Sequence, residues 1–133
     1  MPDVPPNLTE AFARRLAERD NPPPAPPPSQ EPAAVQARLH AWLRTRHGVR
    51  DARGQLRQGR MLLALMQRPE CTTAELAAAA GLPDRAAARV AVRLADLGLT
   101  TFEYRSRYRY HRLTRATEDA LLEVLAGAGA VEG

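Results

Sequence analysis

Apolar residues recur at helical spacing over most of the chain and change to an alternating pattern towards its end. Spacings of three and four residues predict amphipathic helices, whereas alternation predicts strands. Helical spacing covers residues 8–19, 32–47, 55–67, 73–80, 84–97 and 115–126. Alternation covers residues 99–105 and 108–113. This order predicts a mainly α-helical chain with one small β-hairpin.

A short predicted helix near the start of the chain is followed by a proline-rich segment. Leu8, Phe12 and Leu16 form its apolar stripe. Because so short a helix is not stable alone, we expect it to dock on another surface or to fray. Residues 21–32 hold seven prolines in twelve positions, which predicts an extended polyproline II linker. We interpret this linker as a spacer rather than as a ligand for a proline-binding module.

The sequence divides the chain into four predicted parts. Residues 1–20 form the N-terminal helix, residues 21–32 the linker, residues 33–126 the main domain, and residues 127–133 a tail that we expect to be disordered. The leading helix of the main domain carries Trp42, which we interpret as a packing or dimer anchor. Residues 49–54 predict a turn or a helix break.

The most informative stretch of the main domain is residues 83–99, PDRAAARVAVRLADLGL. A helix here would place Arg85, Arg89 and Arg93 on one face and an apolar stripe on the other. A slim helix with such a stripe of guanidinium groups fits a DNA major groove of about 12 Å. The alternative is an ordinary solvated face of a surface helix. A predicted capping box that begins at Thr72, and a helix end at Gly81, precede this stretch.

Tyrosines and arginines are interleaved in the predicted hairpin, whose tip is Arg105-Ser106-Arg107. Strand alternation places Tyr108 and Tyr110 on one face and Arg109 and His111 on the other. We expect the tyrosines, including Tyr104, to pack on the helices. Stacking on bases is the alternative, and it would suit single-stranded nucleic acid.

Charge is distributed unevenly. Residues 33–126 contain 16 arginines and 9 acidic residues, a net charge of +7, and the whole chain has no lysine. Guanidinium groups are planar bidentate donors suited to phosphate and guanine. A basic domain of this kind predicts a polyanionic partner, most often nucleic acid.

Several other classes of protein are not indicated. The chain lacks a nucleophile–His–acid set, a glycine-rich phosphate loop and a metal-ligand cluster, so we expect no enzyme and no cofactor. His40 and His47 lie nearly on one helical face without other ligands, and we expect no metal there. The single Cys71 precedes a helix start, where a thiol pKa can fall, but we prefer a partly buried thiol to a redox switch. No apolar run is long enough to span a membrane, and we expect a soluble cytoplasmic chain.

The order of these elements resembles a winged helix-turn-helix. Residues 72–99, TTAELAAAAGLPDRAAARVAVRLADLGL, and residues 107–125, RYRYHRLTRATEDALLEVL, are similar to the MarR, PadR and ArsR groups of bacterial transcriptional regulators. The resemblance implies a winged-helix fold that binds double-stranded DNA. The chain differs from MarR proteins in its short closing helix. It differs from ArsR metal sensors because it lacks their clusters of metal ligands.

This resemblance also implies roles for individual residues. Arg85, Ala86 and Arg89 match positions that face base edges, and Arg93 matches a position nearer the DNA backbone. The predicted hairpin corresponds to the wing of this fold. Its arginines and the threonines at the start of the helix before residues 83–99 complete the predicted DNA-binding set; they are Arg105, Arg107, Arg109, Thr72 and Thr73.

Sequence-selective binding of duplex DNA by a homodimeric transcriptional regulator is therefore the function that we predict. The alternative is a winged-helix adaptor in a replication, partition or phage complex. Such an adaptor would bind a protein partner through residues 8–19, because winged helices also bind proteins and fold alone does not determine function.

Overall fold

Six helices and three short strands make up the part of the chain that the computed structural model describes, residues 7–20 and 27–126. The helices are α1 (Leu8–Asp20), α2 (Pro32–His47), α3 (Ala52–Gln67), α4 (Thr73–Ala80), α5 (Asp84–Asp96) and α6 (Arg115–Leu125). The strands are β1 (Cys71–Thr72), β2 (Thr100–Arg105) and β3 (Tyr108–Leu113). The predicted tail and residues 21–26 of the predicted linker lie outside the described residues.

Every predicted helix is present, and one begins earlier than its apolar pattern indicates. Helix α3 starts at Ala52 rather than at residue 55, because Asp51 caps it. The Asp51 carboxylate accepts a hydrogen bond of 2.7 Å from the backbone N–H of Gly54. Such a cap satisfies an N–H that has no partner within the helix. The break between α2 and α3 is therefore shorter than the predicted residues 49–54.

Helices α4 and α5 form the predicted helix-turn-helix. The Thr72 hydroxyl accepts a 3.2 Å hydrogen bond from the Glu75 amide, and the Glu75 carboxylate accepts one of 2.9 Å from the Thr72 amide. The predicted capping box is thus confirmed. Gly81 ends α4 with φ = +68°, a left-handed conformation that glycine adopts at little steric cost. This turn directs α5 across α4.

The core lies between α3, α4 and α5 and is closed by α2 and α6. Its fully buried side chains come from all five helices and from the sheet; the largest are Leu39, Leu43, Met61, Leu62, Leu76, Leu94, Leu121, His111 and Cys71. Helix α2 approaches α3 closely at Gly59, where an added Cβ would lie 3.3 Å from the His40 ring. Because glycine has no Cβ, it allows the two helices to approach this closely.

The sheet has a third strand that the alternating pattern does not predict. Residues Cys71 and Thr72 form β1, which pairs with β3 opposite His111 and Tyr110, so that the strand order is β1-β3-β2. A strand of two residues is too short for a periodic signal. The hairpin of β2 and β3 is confirmed with the predicted tip.

The expectation that the tyrosines pack on the helices is wrong for Tyr104 and Tyr108, whereas Tyr110 is half-buried. Tyr104 is 64% exposed and Tyr108 is 61% exposed, whereas His111 is only 2% exposed. The predicted alternation is confirmed, but the face that carries His111 is the one that turns inward. His111 is held there by a 2.8 Å hydrogen bond between its Nε2 atom and the Thr73 hydroxyl. This buried pairing replaces the apolar contact that we expected the tyrosines to make.

Cys71 is more deeply buried than predicted. Its side chain lies inside the core next to β3, and burial, followed by the nearby Glu75 carboxylate, raises the pKa of the thiol. Burial thus outweighs the effect of the nearby helix start, and the preference for a buried thiol over a redox switch agrees with the structure. A buried thiol with a raised pKa is a weak nucleophile, which favours a structural role.

Acidification is expected to destabilise this fold through His111. Burial, followed by the nearby Arg109 charge, lowers the pKa of His111 in the folded state. The unfolded chain, in which histidine titrates near 6.5, therefore binds more protons as the pH falls. The free energy of unfolding should decrease as the pH drops through about 6.5 and level off below the folded-state pKa.

Urea unfolding at a series of pH values would measure this effect. Burial also lowers the pKa of His40 and of His47. The His111→Gln variant should consequently flatten the pH dependence in part and leave the contributions of the other two histidines. An equal pH dependence in the variant and the wild type would contradict the assignment to His111.

Candidate DNA-binding surface

Helix α5 has one buried face and one basic face. Its buried residues are Ala87, Val90, Ala91 and Leu94, which pack into the core. Arg85, Arg89 and Arg93 are exposed on the opposite side of the same helix. The four-residue spacing aligns the three guanidinium groups along the helix axis. The core contacts of the buried face keep this row directed outward.

The three arginines of α5 carry no counter-charge from the rest of the described chain. No carboxylate within residues 7–20 and 27–126 lies within 4.0 Å of the Arg85, Arg89 or Arg93 guanidinium. Unpaired arginines in a row produce a positive potential and keep all their donors available. The surface is therefore suited to a partner that carries regularly spaced negative charge.

Helix α3 extends the basic surface beside α5. A concavity of about 250 Å³ is lined by Arg57 of α3 together with Ala86, Arg89, Val90 and Arg93 of α5. A neighbouring depression is lined by Arg53 and Asp51 as well as by Arg93. The structure thus brings together three residues of the predicted set and adds two arginines that the sequence interpretation missed. The spacing of Arg53 and Arg57 was a usable signal, because it places both on one face of a helix.

The arginines of the wing differ in their surroundings. Arg107 is exposed at the tip, next to Ser106, which has φ = 60°. Arg105 instead forms an ion pair with Glu70, a second contact of 3.4 Å with Glu103, and lies 4.0 Å above the Tyr110 ring. The Arg105 hydrogen bond holds the pKa of Glu70 below its usual range. Arg107 is therefore the wing arginine most available to a partner.

Arg109 is engaged within the hairpin. Its Nε atom donates a 2.8 Å hydrogen bond to the Tyr104 hydroxyl, and its guanidinium lies 5.0 Å from the centre of the Phe102 ring. Such cation–π contacts stabilise the hairpin and fix the direction of the side chain. The structure places Arg109 away from the tip, on the face of the sheet that also carries His111.

The two threonines at the start of α4 have structural partners. The Thr72 hydroxyl belongs to the capping box, and the Thr73 hydroxyl is bonded to His111. Both side chains are half-buried. Their hydroxyl groups thus position α4 and β3. A ligand at the start of α4 would therefore contact backbone N–H groups, which helix N-termini present to anions.

The described residues were searched for a group of metal-binding side chains and for a membrane-spanning helix. Within residues 7–20 and 27–126, no three His, Cys, Asp or Glu side chains are grouped so that they could hold a metal ion. Across the same two segments, none of the helices has the length and apolar character needed to cross a membrane.

These features define a winged helix-turn-helix with a basic second helix, a class whose fold is shared with known regulators. No protein-family model matches the chain, and no curated protein matches it in sequence. Solved structures do match. A MarR family transcriptional regulator from Silicibacter pomeroyi DSS has 20% identity and a TM-score of 0.57, over 99% of this chain and 79% of that one.

Two further structures agree with this match. The protein RV1404 from Mycobacterium tuberculosis has 18% identity and a TM-score of 0.56, over 98% of this chain and 78% of that one. The MarR family transcriptional regulator SPO1453 from Silicibacter pomeroyi DSS-3 has 20% identity and a TM-score of 0.52, over 98% and 80%. The chain therefore has the winged-helix fold of MarR family transcriptional regulators, and the predicted resemblance is confirmed at the level of the fold.

Proposed function

We propose that this chain is a transcriptional regulator that binds double-stranded DNA sequence-selectively as a homodimer in the cytoplasm. The observation that carries the proposal is the row of exposed arginines on α5, which form no ion pair with another described residue. The proposal includes no catalytic step and no cofactor. It agrees with the two solved structures of the same fold whose names describe transcriptional regulators.

The position of each arginine along α5 supports a division of roles. Arg85 and Arg89 lie in the N-terminal half of the helix, the half that enters the major groove in helix-turn-helix proteins. There each guanidinium can donate two hydrogen bonds to the O6 and N7 atoms of guanine. Arg93 lies near the C-terminal end and lines a depression together with Arg53, Arg57 and Asp51, where the arginines would bind a phosphate. Arg107 would reach the adjacent minor groove or flanking phosphates.

Selection from a random duplex library tests this proposal. We expect the wild-type chain to enrich a palindromic site with half-sites about one helical turn apart. The Arg85→Ala/Arg89→Ala variant should lose this enrichment. As a matched control, Arg14→Ala/Arg44→Ala removes two exposed arginines from α1 and α2 and should enrich the same site as the wild type. Failure of the wild type to enrich any sequence would refute sequence-selective binding.

A protein-binding adaptor is the second candidate, and the exposed Phe12 on α1 favours it. Deleting residues 1–31 separates the two functions. Loss of DNA binding or of dimerisation in the truncated chain supports the regulator. Loss of a protein partner alone, with DNA binding retained, supports the adaptor.

A further inference from the structure

Two tyrosines near the tip of the wing have no place in the core. Tyr104 and Tyr108 are more exposed than any other aromatic side chain within residues 7–20 and 27–126. Neither ring belongs to the buried apolar cluster. Because aromatic side chains contribute strongly to the energetics of interfaces, two exposed rings at the end of a hairpin indicate a contact surface.

The two rings lie on opposite faces of the hairpin. Tyr104 pairs with Arg109, on the face that also carries His111. Tyr108 pairs with Arg105, on the other face. These are the last two cross-strand pairs before the turn. A flexible strand that passes around the tip would therefore meet one ring on each side.

Contacts within the hairpin hold the Tyr104 ring in place and leave it open to solvent. The Phe102 ring meets it edge-on at 5.8 Å between ring centres, and the Arg109 guanidinium lies 5.3 Å from its centre. Arg109 also donates the hydrogen bond to the Tyr104 hydroxyl. A ring that is ordered in advance loses little conformational entropy when it binds, so Tyr104 is prepared to stack on a flat partner.

The cations around the two rings outnumber the free carboxylates. Arg107 is exposed at the tip, between the two tyrosines in the sequence. Glu70 and Glu103, the acidic neighbours of the wing, both contact Arg105. Proteins bind single-stranded nucleic acids by stacking bases on aromatic rings and by placing cations along the backbone. The wing combines these two features.

We propose that the wing binds single-stranded DNA, with one base stacked on Tyr104, a second base on Tyr108 and the phosphates between them beside Arg107. In a duplex the faces of the bases are covered by their neighbours, so such stacking requires a single or opened strand. Arginines border both rings, whereas the centre of a protein interface is depleted of charged residues. This activity goes beyond the proposed function, because none of its three residues belongs to α5.

Fluorescence anisotropy with labelled oligothymidylate tests this proposal. A strand of about 15 nucleotides covers the length of a typical single-strand site. The Tyr104→Ala and Tyr108→Ala variants should each bind about 5-fold to 150-fold more weakly than the wild type, which is the contribution of one stacked base. Tyr104→Phe and Tyr108→Phe keep the ring and should bind like the wild type.

Phe12→Ala is the matched control, because it removes an exposed aromatic side chain from α1, outside the wing. It should bind oligothymidylate like the wild type. Circular dichroism should show the same helix content in all of these proteins. A loss of affinity in Phe12→Ala as large as in the tyrosine variants would indicate general apolar attraction and overturn the proposal.

Photocrosslinking locates the stacked bases. A strand that carries 5-iodouracil in place of thymine forms adducts with the aromatic side chains on which it stacks. Mass spectrometry of the digested complex should find these adducts on Tyr104 and Tyr108. A wild type that does not bind the strand, alanine variants that bind like the wild type, or adducts confined to other residues would each overturn the proposal.

Duplex DNA separates this inference from the proposed function. The Arg85→Ala/Arg89→Ala variant should lose the selected duplex and still bind oligothymidylate. A wild type that enriches a duplex site but does not bind oligothymidylate overturns only the single-strand activity. A wild type that binds oligothymidylate through its tyrosines but enriches no duplex overturns only sequence-selective duplex binding. Equal losses for duplex and single strand in Tyr104→Ala would place that ring on the duplex and overturn the inference.

Discussion

Replacement of Arg85 and Arg89 by alanine is expected to weaken binding to the selected DNA by roughly 30-fold to 10⁴-fold for each half-site that the dimer contacts. Each bidentate contact between an arginine and a guanine contributes about 1–3 kcal/mol of discrimination, so two contacts correspond to about 2–6 kcal/mol. Both side chains are exposed and neither makes an ion pair with another described residue. Their removal should therefore leave the fold intact. Fluorescence anisotropy with a labelled duplex would measure the effect.

Comparison with a scrambled duplex separates base recognition from general attraction. The double variant should lose much more affinity for the selected site than for the scrambled one, because phosphate contacts do not depend on sequence. The Arg14→Ala/Arg44→Ala variant should bind both duplexes like the wild type. An equal loss of affinity for the two duplexes would show that Arg85 and Arg89 contact only the DNA backbone.

Most of the helix-turn-helix formed by α4 and α5 could be predicted from the sequence, because nearby residues determine where its helices begin and end. The capping box at Thr72 and the left-handed Gly81 are specified by residues within one turn of the feature that they produce. The two faces of α5 follow from the spacing of its arginines and apolar residues. Local signals of this kind do not depend on the rest of the fold.

Features that depend on distant partners could not be predicted in the same way. The inward position of His111 depends on Thr73, 38 residues away, and the buried β1 exists only because β3 lies beside it. Hydrophobicity favoured the tyrosines for the inner face, but a buried imidazole is acceptable once its hydrogen bond is made. Tertiary contacts thus overrode the local preference at the sheet.

The wing arginines of the candidate site also differ because of a partner that is distant in the sequence. In the sequence, Arg105 and Arg107 are equivalent residues on either side of Ser106. In the structure, Arg105 is paired with Glu70, which precedes β1 and lies 35 residues away, whereas Arg107 has no such partner among the described residues. An exposed ion pair of this type contributes little to stability, because water and salt screen the two charges. Its main consequence is to direct the Arg105 side chain along the sheet.

Salt dependence is expected to distinguish these two arginines. A complex with about 6–10 phosphate contacts should lose roughly 10³-fold to 10⁵-fold in affinity between about 50 and 200 mM salt. Each lost phosphate contact reduces the slope of log K against log salt by about 0.9, so that Arg107→Ala in both subunits of a dimer should reduce it by about 1.8. Arg105→Ala should leave the slope near that of the wild type, because its charge is already balanced by Glu70.

The Glu70→Gln variant completes this comparison. Loss of the carboxylate frees the Arg105 guanidinium to bind a phosphate, so the variant should show a steeper salt dependence than the wild type, and Arg105→Ala in the same chain should abolish the increase. A reduction of the slope by Arg105→Ala alone, as large as that for Arg107→Ala, would contradict this view. It would mean that DNA displaces Glu70 from Arg105, and that both sides of the wing tip bind phosphate in the complex.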